Sequence, residues 1–306
     1  MTTIHKVAWV GLGKLGLPMA ARIAAAGHEV HGFDLSAERM ALAEQAGITP
    51  HADLASAIDG CSLVLVSIPD DRALLGLCLE AGDLIGKMAP GTTLIETSTV
   101  SIEASAQVAR AAEARGIAYL RSPVSGNPVA AEAGTLSAMV SGPREALDDA
   151  VAVMQSFTKA QYWLGEEEQG RYAKLAINLM IAVSAGMLGE SLTLARKGNI
   201  GWDDMLELVA DSAVGSPMVQ YKVPPLSQRD FTSTFSAAQM AKDLDLILGC
   251  AHVAGVPVPL AAQMREAYTS LIGTGYGEDD YIATVHHTER LAGLPAIEPA
   301  ADARRG

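Results

Sequence analysis

The apolar positions in the first half of the chain fall into short runs separated by amphipathic segments. Short runs rich in β-branched and other apolar residues are typical of strands, and they cover residues 7–10, 29–33, 63–68, 93–96, 118–121 and 137–141. Helical spacing of apolar residues predicts helices over residues 16–26, 37–46, 53–58, 72–79 and 102–115, and one more after Pro143. This alternation predicts an α/β domain whose doubly wound, mostly parallel sheet has helices on both faces.

The pattern changes at Gln169, because from there on apolar residues recur only at helical spacing. The predicted helices cover residues 169–197, 202–212, 236–254, 260–274 and 282–292, and the adjacent Pro224 and Pro225 predict a loop. We expect a strand pair around residues 161–164 to close the first half. We therefore expect a first domain over residues 1–165, an all-helical second domain over 166–294, and a flexible tail over 295–306.

The predicted helix over residues 169–197 is almost wholly apolar and ends at Gly198, the expected C-terminal cap. A helix that is apolar all round is usually buried all round, so we expect an interdomain spine or a subunit interface here.

The residues that connect the first strand to the first helix form a glycine-rich turn: Gly11, Leu12, Gly13, Lys14, Leu15 and Gly16. Such a turn lets the backbone approach a pyrophosphate at a helix N-terminus. Asp34 lies 18 residues past Gly16, near the spacing at which a carboxylate binds an adenosine ribose. The pattern predicts a dinucleotide site and favours NAD over NADP, since Asp34 would repel a 2′-phosphate. A purely structural turn is the alternative.

Lys174 and Asn178 are one helical turn apart on the apolar helix, so they point the same way. A buried lysine is costly unless it is paired or functional, and desolvation shifts it towards acid/base chemistry near neutral pH. The alternative is that Lys174 lies on an exposed strip near the start of the helix.

Three loops follow predicted strands, and ligands of parallel sheets bind at such loops. Ser125, Gly126 and Asn127 follow residues 118–121 and offer backbone and side-chain donors to a carboxylate. The other two loops contain Ile68 and Pro69, and Ser98. For the loop with Ser125, Gly126 and Asn127, the alternative is a plain Gly/Pro-rich loop without a ligand. The pair Lys242 and Asp243 is a further candidate, with a surface charge pair as its alternative.

Composition limits the class of protein. Of 306 residues, 49% are hydrophobic and 19% charged, and the formal net charge of −13 makes nucleic acid and anionic membranes poor partners. We expect no membrane span and no secretory leader. Cys61, Cys78 and Cys250 are widely spaced, which is typical of a cytoplasmic protein. No metal-ligand spacing is found, so we expect no metal.

Together, four motifs in order resemble the β-hydroxyacid dehydrogenase family, that of 3-hydroxyisobutyrate dehydrogenase and tartronate semialdehyde reductase. They are residues 11–16, the substrate loop 121–127, the Gly-x-x-x-Lys-x-x-x-Asn segment 170–178, and the Lys-Asp-Leu segment 242–244. The resemblance covers the chain to about residue 292. It implies a Rossmann domain, an all-helical C-terminal domain, a long interdomain helix between them, and a homodimer or homotetramer.

The resemblance also implies roles. Lys174 would be the catalytic acid/base, and Asn178 would orient the substrate. The remaining residues divide into those expected to bind the substrate carboxylate (Ser125, Gly126 and Asn127) and those expected to contact the cofactor beside the glycine turn and Asp34 (Ile68, Pro69, Ser98 and Lys242).

The substrate loop departs from the family pattern. Arg121 and Ser122 replace the usual Asp-Ala, and Asn127 with Pro128 follows where a second glycine is usual. Pro128 removes a backbone donor, so the identity of the carboxylate substrate stays open.

The predicted reaction is hydride transfer between NAD(P) and the β-hydroxyl carbon of a small 3-hydroxy acid or its semialdehyde. An imine reductase shares the architecture, but its relatives commonly carry Asp or Tyr at the position of Lys174. A 6-phosphogluconate dehydrogenase would need more cationic groups to bind the phosphate of its substrate. A non-catalytic dinucleotide-binding regulator would keep the glycine turn without needing Lys174 or Asn178.

Overall fold

The computed structural model describes residues 4–295, and the chain divides into two compact units between Leu175 and Ala176. Apart from Pro295, the predicted tail over residues 295–306 lies outside the described residues.

The first unit contains a six-stranded parallel sheet in the order β3-β2-β1-β4-β5-β6. Its strands are β1 (Lys6–Val10), β2 (Glu29–Phe33), β3 (Thr49–Pro50), β4 (Leu63–Val66), β5 (Thr93–Glu96) and β6 (Ala118–Arg121). The order reverses between β1 and β4, which is the crevice where doubly wound folds bind nucleotides. The prediction of a Rossmann-type sheet is confirmed.

Helices cover both faces of this sheet. They are α1 (Gly16–Ala25), α2 (Ala37–Gln45), α3 (Leu54–Ile58), α4 (Asp71–Cys78), α5 (Leu84–Lys87), α6 (Ile102–Ala114), α7 (Pro128–Glu132) and α8 (Arg144–Met154). Alternate strand residues enter two separate cores, so Trp9 and Leu65 pack on one face while Val10 and Val66 pack on the other.

A second, three-stranded sheet extends the first unit. It contains β7 (Val124–Ser125), β8 (Leu136–Val140) and β9 (Thr158–Trp163), with β8 in the middle. Strand β8 pairs antiparallel with β7 and parallel with β9. Sequence patterns indicated β8 and β9 but not the two-residue β7, because so short a strand carries no periodic signal.

The second unit is helical over its described residues. Helix α9 (Gln169–Lys197) begins in the first unit, and α10 (Trp202–Asp211), α11 (Pro217–Ser227), α12 (Ala237–Ala254), α13 (Pro259–Gly273), a short 3-10 helix (Tyr281–Ala283) and α14 (Thr284–Leu291) follow it. Ser236 and Gln239 form a capping box at the start of α12, and Gly255 ends it at φ +68°.

The prediction of a loop at Pro224 and Pro225 is wrong, because both lie within the last turns of α11. Ser216 caps the start of this helix and Pro217 occupies its first turn, where a proline is favoured. Val219 and Leu226 are buried, so packing of this face outweighs the backbone hydrogen bonds that the two prolines cannot donate.

Helix α9 has the predicted bounds, but the expectation that it is buried on all sides is wrong. Met180, Met187 and Leu194 are 66%, 56% and 74% exposed, and their seven-residue spacing places them on one face. The left-handed residue after the helix is Asn199 at φ +60°, rather than the predicted Gly198. The amide N–H of Ile200 then donates to the Ala195 carbonyl, which closes the last turn.

By length and hydropathy alone, α9 is sufficient to cross a bilayer. A long core helix of a globular protein meets the same criterion, so this single helix is weak support for a membrane span.

Candidate active site

The glycine turn requires glycine for steric reasons at two positions. Gly11 has φ +89°, and a Cβ there would lie 2.1 Å from the Ser67 carbonyl oxygen. A Cβ on Gly16 would lie 2.0 Å from the Gly11 carbonyl oxygen. At Gly13, by contrast, a Cβ would meet no heavy atom within 4 Å, so the turn is open on that side.

Asp34 fastens this turn to the end of β2. Its carboxylate accepts hydrogen bonds from the Leu12 amide at 2.7 Å and from the Ser36 amide at 2.8 Å. Both are backbone donors, so the carboxylate has a defined orientation at the edge of the sheet.

The start of α1 fits a pyrophosphate. The N-cap of this helix is Leu15, whose side chain cannot accept a hydrogen bond from the first-turn N–H groups. Lys14 adds a cation in the same turn, and the helix carries no acidic residue in its first turn. An anion therefore suits this helix end, and Gly13 leaves space for it.

The loops after β4 and β5 are joined by a hydrogen bond, because the Ile68 amide donates to the Ser98 hydroxyl at 2.8 Å. Ser98 is buried, Ile68 is half-buried, and Pro69 beside it is exposed. Three predicted nicotinamide-side residues thus lie on two connected loops of the first unit.

The substrate loop has a more constrained structure than sequence reasoning indicated. Ser125 belongs to β7, and Gly126 has φ +138°, where a Cβ would lie 2.5 Å from the Leu136 side chain. The Asn127 side-chain oxygen accepts from the Ala130 amide at 2.9 Å and so caps α7. Its oxygen therefore has a structural partner, and Pro128 supplies the favoured first residue of α7.

Lys174 is half-buried, and its Nζ donates to the Val124 carbonyl at 2.8 Å. Val124 directly precedes Ser125, so the ammonium is held against the loop that carries the predicted carboxylate ligands. Of the two readings left open by periodicity, this geometry favours a lysine with a defined local role over one on a solvated strip.

Gly170 lets the start of α9 lie close against β8 within the first unit. A Cβ there would lie 2.6 Å from the Met139 carbonyl oxygen, and its amide donates to the Ser141 hydroxyl at 3.0 Å. The unusual Arg121 has a partner in the same region, because its guanidinium pairs with Glu168 at 2.6 Å. Arg121 therefore anchors the start of α9.

In the second unit, Asn178 and Lys242 share one carboxylate. The Asn178 Nδ2 donates to Asp243 Oδ2 at 2.5 Å, and Lys242 Nζ lies 2.8 Å from Asp243 Oδ1. Asp243 is fully buried, so this is no surface charge pair. The sequence analysis named the pair Lys242 and Asp243 as a candidate but gave a role to Lys242 alone. The sequence signal for a buried role of Asp243 was its place among the apolar residues Met240 and Leu244 on one face of α12.

None of the three cysteines has the lowered pKa of a reactive thiol. Burial raises the pKa of Cys61 to about 11 and that of Cys78 to about 12, and it also raises the pKa of Cys250. All three stay protonated at neutral pH, where a thiol is a poor nucleophile. Within residues 4–295, no group of three or more His, Cys, Asp or Glu side chains could hold a metal ion.

Comparison with known families identifies both halves of the chain. Residues 6–165 match the family described as the NAD binding domain of 6-phosphogluconate dehydrogenase. Residues 169–288 match the family described as NAD-binding of NADP-dependent 3-hydroxyisobutyrate dehydrogenase. The chain belongs to the β-hydroxyacid dehydrogenase family, and it is an NAD(P)-dependent oxidoreductase of the hydroxyacid dehydrogenase type.

Individual relatives agree with this assignment. NAD-dependent L-serine dehydrogenase from Pseudomonas aeruginosa is 30% identical, and the match covers 91% of this chain and 96% of that protein. The structure of Mycobacterium tuberculosis 3-hydroxyisobutyrate dehydrogenase with L-serine has a TM-score of 0.83 at 26% identity, over 93% of this chain and 99% of that one.

The imine reductase alternative has weaker support. A Streptomyces aurantiacus imine reductase has a TM-score of 0.62 at 20% identity, over 92% of this chain and 98% of that one. That similarity shows the shared fold alone.

Proposed function

We propose that this protein oxidises the β-hydroxyl group of a small 3-hydroxy acid, or reduces the matching semialdehyde, with Lys174 as the general acid/base. The observation that carries the proposal is the 2.8 Å hydrogen bond from Lys174 Nζ to the Val124 carbonyl. It holds a titratable group beside Ser125 and Gly126, where backbone donors suit a carboxylate.

A nicotinamide cofactor held by residues 11–16 would supply the hydride acceptor or donor when bound. During oxidation, Lys174 in its amine form takes the proton of the substrate hydroxyl. During reduction, its ammonium form donates a hydrogen bond to the carbonyl oxygen and then the proton. A general acid/base of this kind contributes about 10²- to 10⁴-fold to the rate.

We assign the substrate carboxylate to Ser125 and Gly126, with Asn127 beside them, and the orientation of the substrate to Asn178. Two structural features support this assignment. Gly126 adopts a conformation that strongly favours glycine, and Asn178 has its amide oriented by Asp243. L-serine and 3-hydroxyisobutyrate, the compounds in the names of the relatives, are both small 3-hydroxy acids and are the first candidates.

We assign the cofactor pyrophosphate to the turn of residues 11–16 and the adenosine ribose to Asp34. Ile68, Pro69 and Ser98 would contact the nicotinamide side, and Lys242 would also contact the cofactor. The carboxylate of Asp34 supports a preference for NAD, because it accepts hydrogen bonds from ribose hydroxyls and repels a 2′-phosphate.

A panel of 3-hydroxy acids and semialdehydes, assayed with NAD and with NADP, tests the proposal. L-serine, 3-hydroxyisobutyrate and a cyclic imine belong in one panel. We expect turnover of at least one hydroxy acid, with NAD preferred. Turnover of the imine alone would contradict the proposal, and tight NAD binding without turnover of any compound would favour a non-catalytic regulator.

We also propose that the protein forms a homodimer or homotetramer. The exposed face of α9 that carries Met180, Met187 and Leu194 supports an apolar contact between copies. Light scattering should give a mass of two or four chains for the wild type, and Met187→Glu should lower it. A wild-type mass of one chain would contradict the proposal.

We further propose a cytoplasmic location. The free thiols of Cys61, Cys78 and Cys250 suit a reducing compartment. Fractionation of the native host should recover the protein with the cytoplasmic fraction, and recovery with membranes would contradict the proposal.

A further inference from the structure

Arg171 is a buried guanidinium that the proposed reaction does not use. It is 1% exposed and lies on α9, three residues before Lys174. Its contacts all come from the first unit. It forms an ion pair with Glu96 and donates to the Ser98 carbonyl at 2.8 Å, to the Tyr119 hydroxyl at 3.0 Å and to the Ser105 hydroxyl at 3.2 Å.

The charge of this group is stable. Burial alone would lower the pKa of Arg171, but the carboxylate of Glu96 raises it above its ordinary value, so the guanidinium stays protonated. Burial also raises the pKa of Tyr119 to about 12, so its hydroxyl stays neutral and accepts the hydrogen bond. Arg171 therefore keeps its positive charge and Tyr119 its neutral hydroxyl at neutral pH.

Arg171 and its ion-pair partner Glu96 both bind the backbone of Ser98. The Ser98 amide donates to Glu96 Oε1 at 2.5 Å, and the Ser98 carbonyl accepts from Arg171. The ion pair thus holds the Ser98 peptide groups on both sides. The Ser98 hydroxyl in turn accepts from the Ile68 amide, which connects the loop after β5 to the loop after β4.

The same guanidinium fixes the start of α9. A helix is stiff over one turn, so a group that fixes Arg171 also fixes the backbone from which Lys174 projects. The second anchor is Arg121, which pairs with Glu168 and lies over the Tyr119 ring at 4.8 Å. Tyr119 therefore contacts both arginines.

We propose that Arg171 is a positioning residue: it sets the distance between Lys174 and the loops of Ser98 and Ile68. This rests on the proposed role of Lys174 as the acid/base. Arginine suits the task because its planar guanidinium directs donors at four partners at once, whereas a lysine ammonium has only three donors and no fixed fork.

A positioning role predicts an effect on kcat that a structural role does not. Misplacement of a catalytic group by about 1 Å can cost about 100-fold in rate, even when folding is intact. For Arg171→Lys we expect kcat to fall about 10- to 100-fold with NAD affinity within about 3-fold of wild type. The pH profile of kcat should shift, and the isotope effect with substrate deuterated at the β-carbon should change.

Three further variants make the experiment decisive. Arg144→Lys alters a surface arginine of α8 that pairs with Asp148 and should leave all readouts unchanged. Tyr119→Phe removes one acceptor of Arg171 with little change of shape, and we expect a loss of about 3- to 10-fold in kcat. If Arg171→Lys does not fold, the kcat and pH profile of Tyr119→Phe test the positioning role instead. Lys174→Met in parallel tests the proposed acid/base.

The outcomes separate the two proposals. If Arg171→Lys and Tyr119→Phe lower the melting temperature but keep the wild-type kcat and pH profile per folded molecule, the positioning role is wrong. If Lys174→Met keeps wild-type turnover, the proposed acid/base role of Lys174 is wrong, whatever the Arg171 variants do.

Discussion

The side-chain amide of Asn178 donates to the buried carboxylate of Asp243 at 2.5 Å. A carboxylate offers only acceptors, so the amide nitrogen must face Asp243 and the amide oxygen must point elsewhere. Asp243 thereby selects one orientation of the residue to which we assign substrate orientation, and it also pairs with Lys242.

Replacement of Asp243 by Asn should impair catalysis through Asn178 and Lys242. Hydrogen bonds to charged groups contribute about 1.5–3 kcal/mol, so kcat/KM for the hydroxy acid should fall about 10- to 100-fold. Asp245→Asn on the same helix is the matched control, because Asp245 is exposed and pairs with Arg265. Equal, small effects of the two substitutions on kcat/KM would argue against this role of Asp243.

Asp34→Asn should weaken the preference for NAD. The amide keeps one acceptor for the Leu12 or Ser36 amide but loses the charge that repels a 2′-phosphate. We expect kcat/KM with NAD to fall about 10-fold, because one charged hydrogen bond is lost. The ratio of kcat/KM with NAD to kcat/KM with NADP should fall by more than this factor. Asp53→Asn, at an exposed helix cap, is the control. An unchanged ratio of the two kcat/KM values would count against the ribose assignment.

Gly170→Ala should destabilise the protein, because the new Cβ would lie 2.6 Å from the Met139 carbonyl oxygen. Overpacking of this kind costs about 1–3 kcal/mol in the free energy of unfolding. Gly249→Ala, in α12, has no heavy atom within 4 Å of its Cβ and should stabilise the protein by about 0.5–1 kcal/mol. Urea unfolding of both variants checks the opposite signs, and the same sign for both would show that the close contact at Gly170 is unimportant.

Glu289 should make the stability of the second unit depend on pH. Burial would raise the pKa of this carboxyl, but hydrogen bonds from Arg229 and Arg196 lower it below its ordinary value of 4.5. A depressed carboxyl pKa stabilises the fold above the ordinary value, and this contribution is lost as the pH falls below 4.5. Glu289→Gln should therefore cost about 2–3 kcal/mol at pH 7 and progressively less at acidic pH.

Thermal unfolding of wild type and Glu289→Gln between pH 3 and pH 7 measures this difference. Glu190→Gln on α9 is the control, because Glu190 is exposed. If the difference in melting temperature between wild type and Glu289→Gln stays constant from pH 3 to pH 7, the lowered pKa of Glu289 is not its cause.

Local patterns in the sequence were sufficient for much of the fold. The glycine spacing of residues 11–16 and the bounds of α9 follow from steric and periodic rules that act within a few residues. The Pro224 and Pro225 pair shows where such rules fail, because the packing of Val219 and Leu226 outweighs a local helix breaker.

The missing parts of the site depend on contacts distant in sequence. Glu96 and Arg171 are 75 residues apart, and Asn178 and Asp243 are 65 apart, so no local pattern joins either pair. Asn127 shows the converse problem. Its residue type suits a ligand contact, but the structure uses its side-chain oxygen as a helix cap.

The turnover number of Lys174→Met tests the proposed chemistry most directly. It is measured with the best substrate of the panel, beside the melting temperature and the NAD dissociation constant of the same variant. If Lys174 is the acid/base that we propose, kcat should fall about 10²- to 10⁴-fold while folding and NAD binding stay near wild type. A kcat within about 3-fold of wild type, far less than an acid/base contributes, would contradict this mechanism.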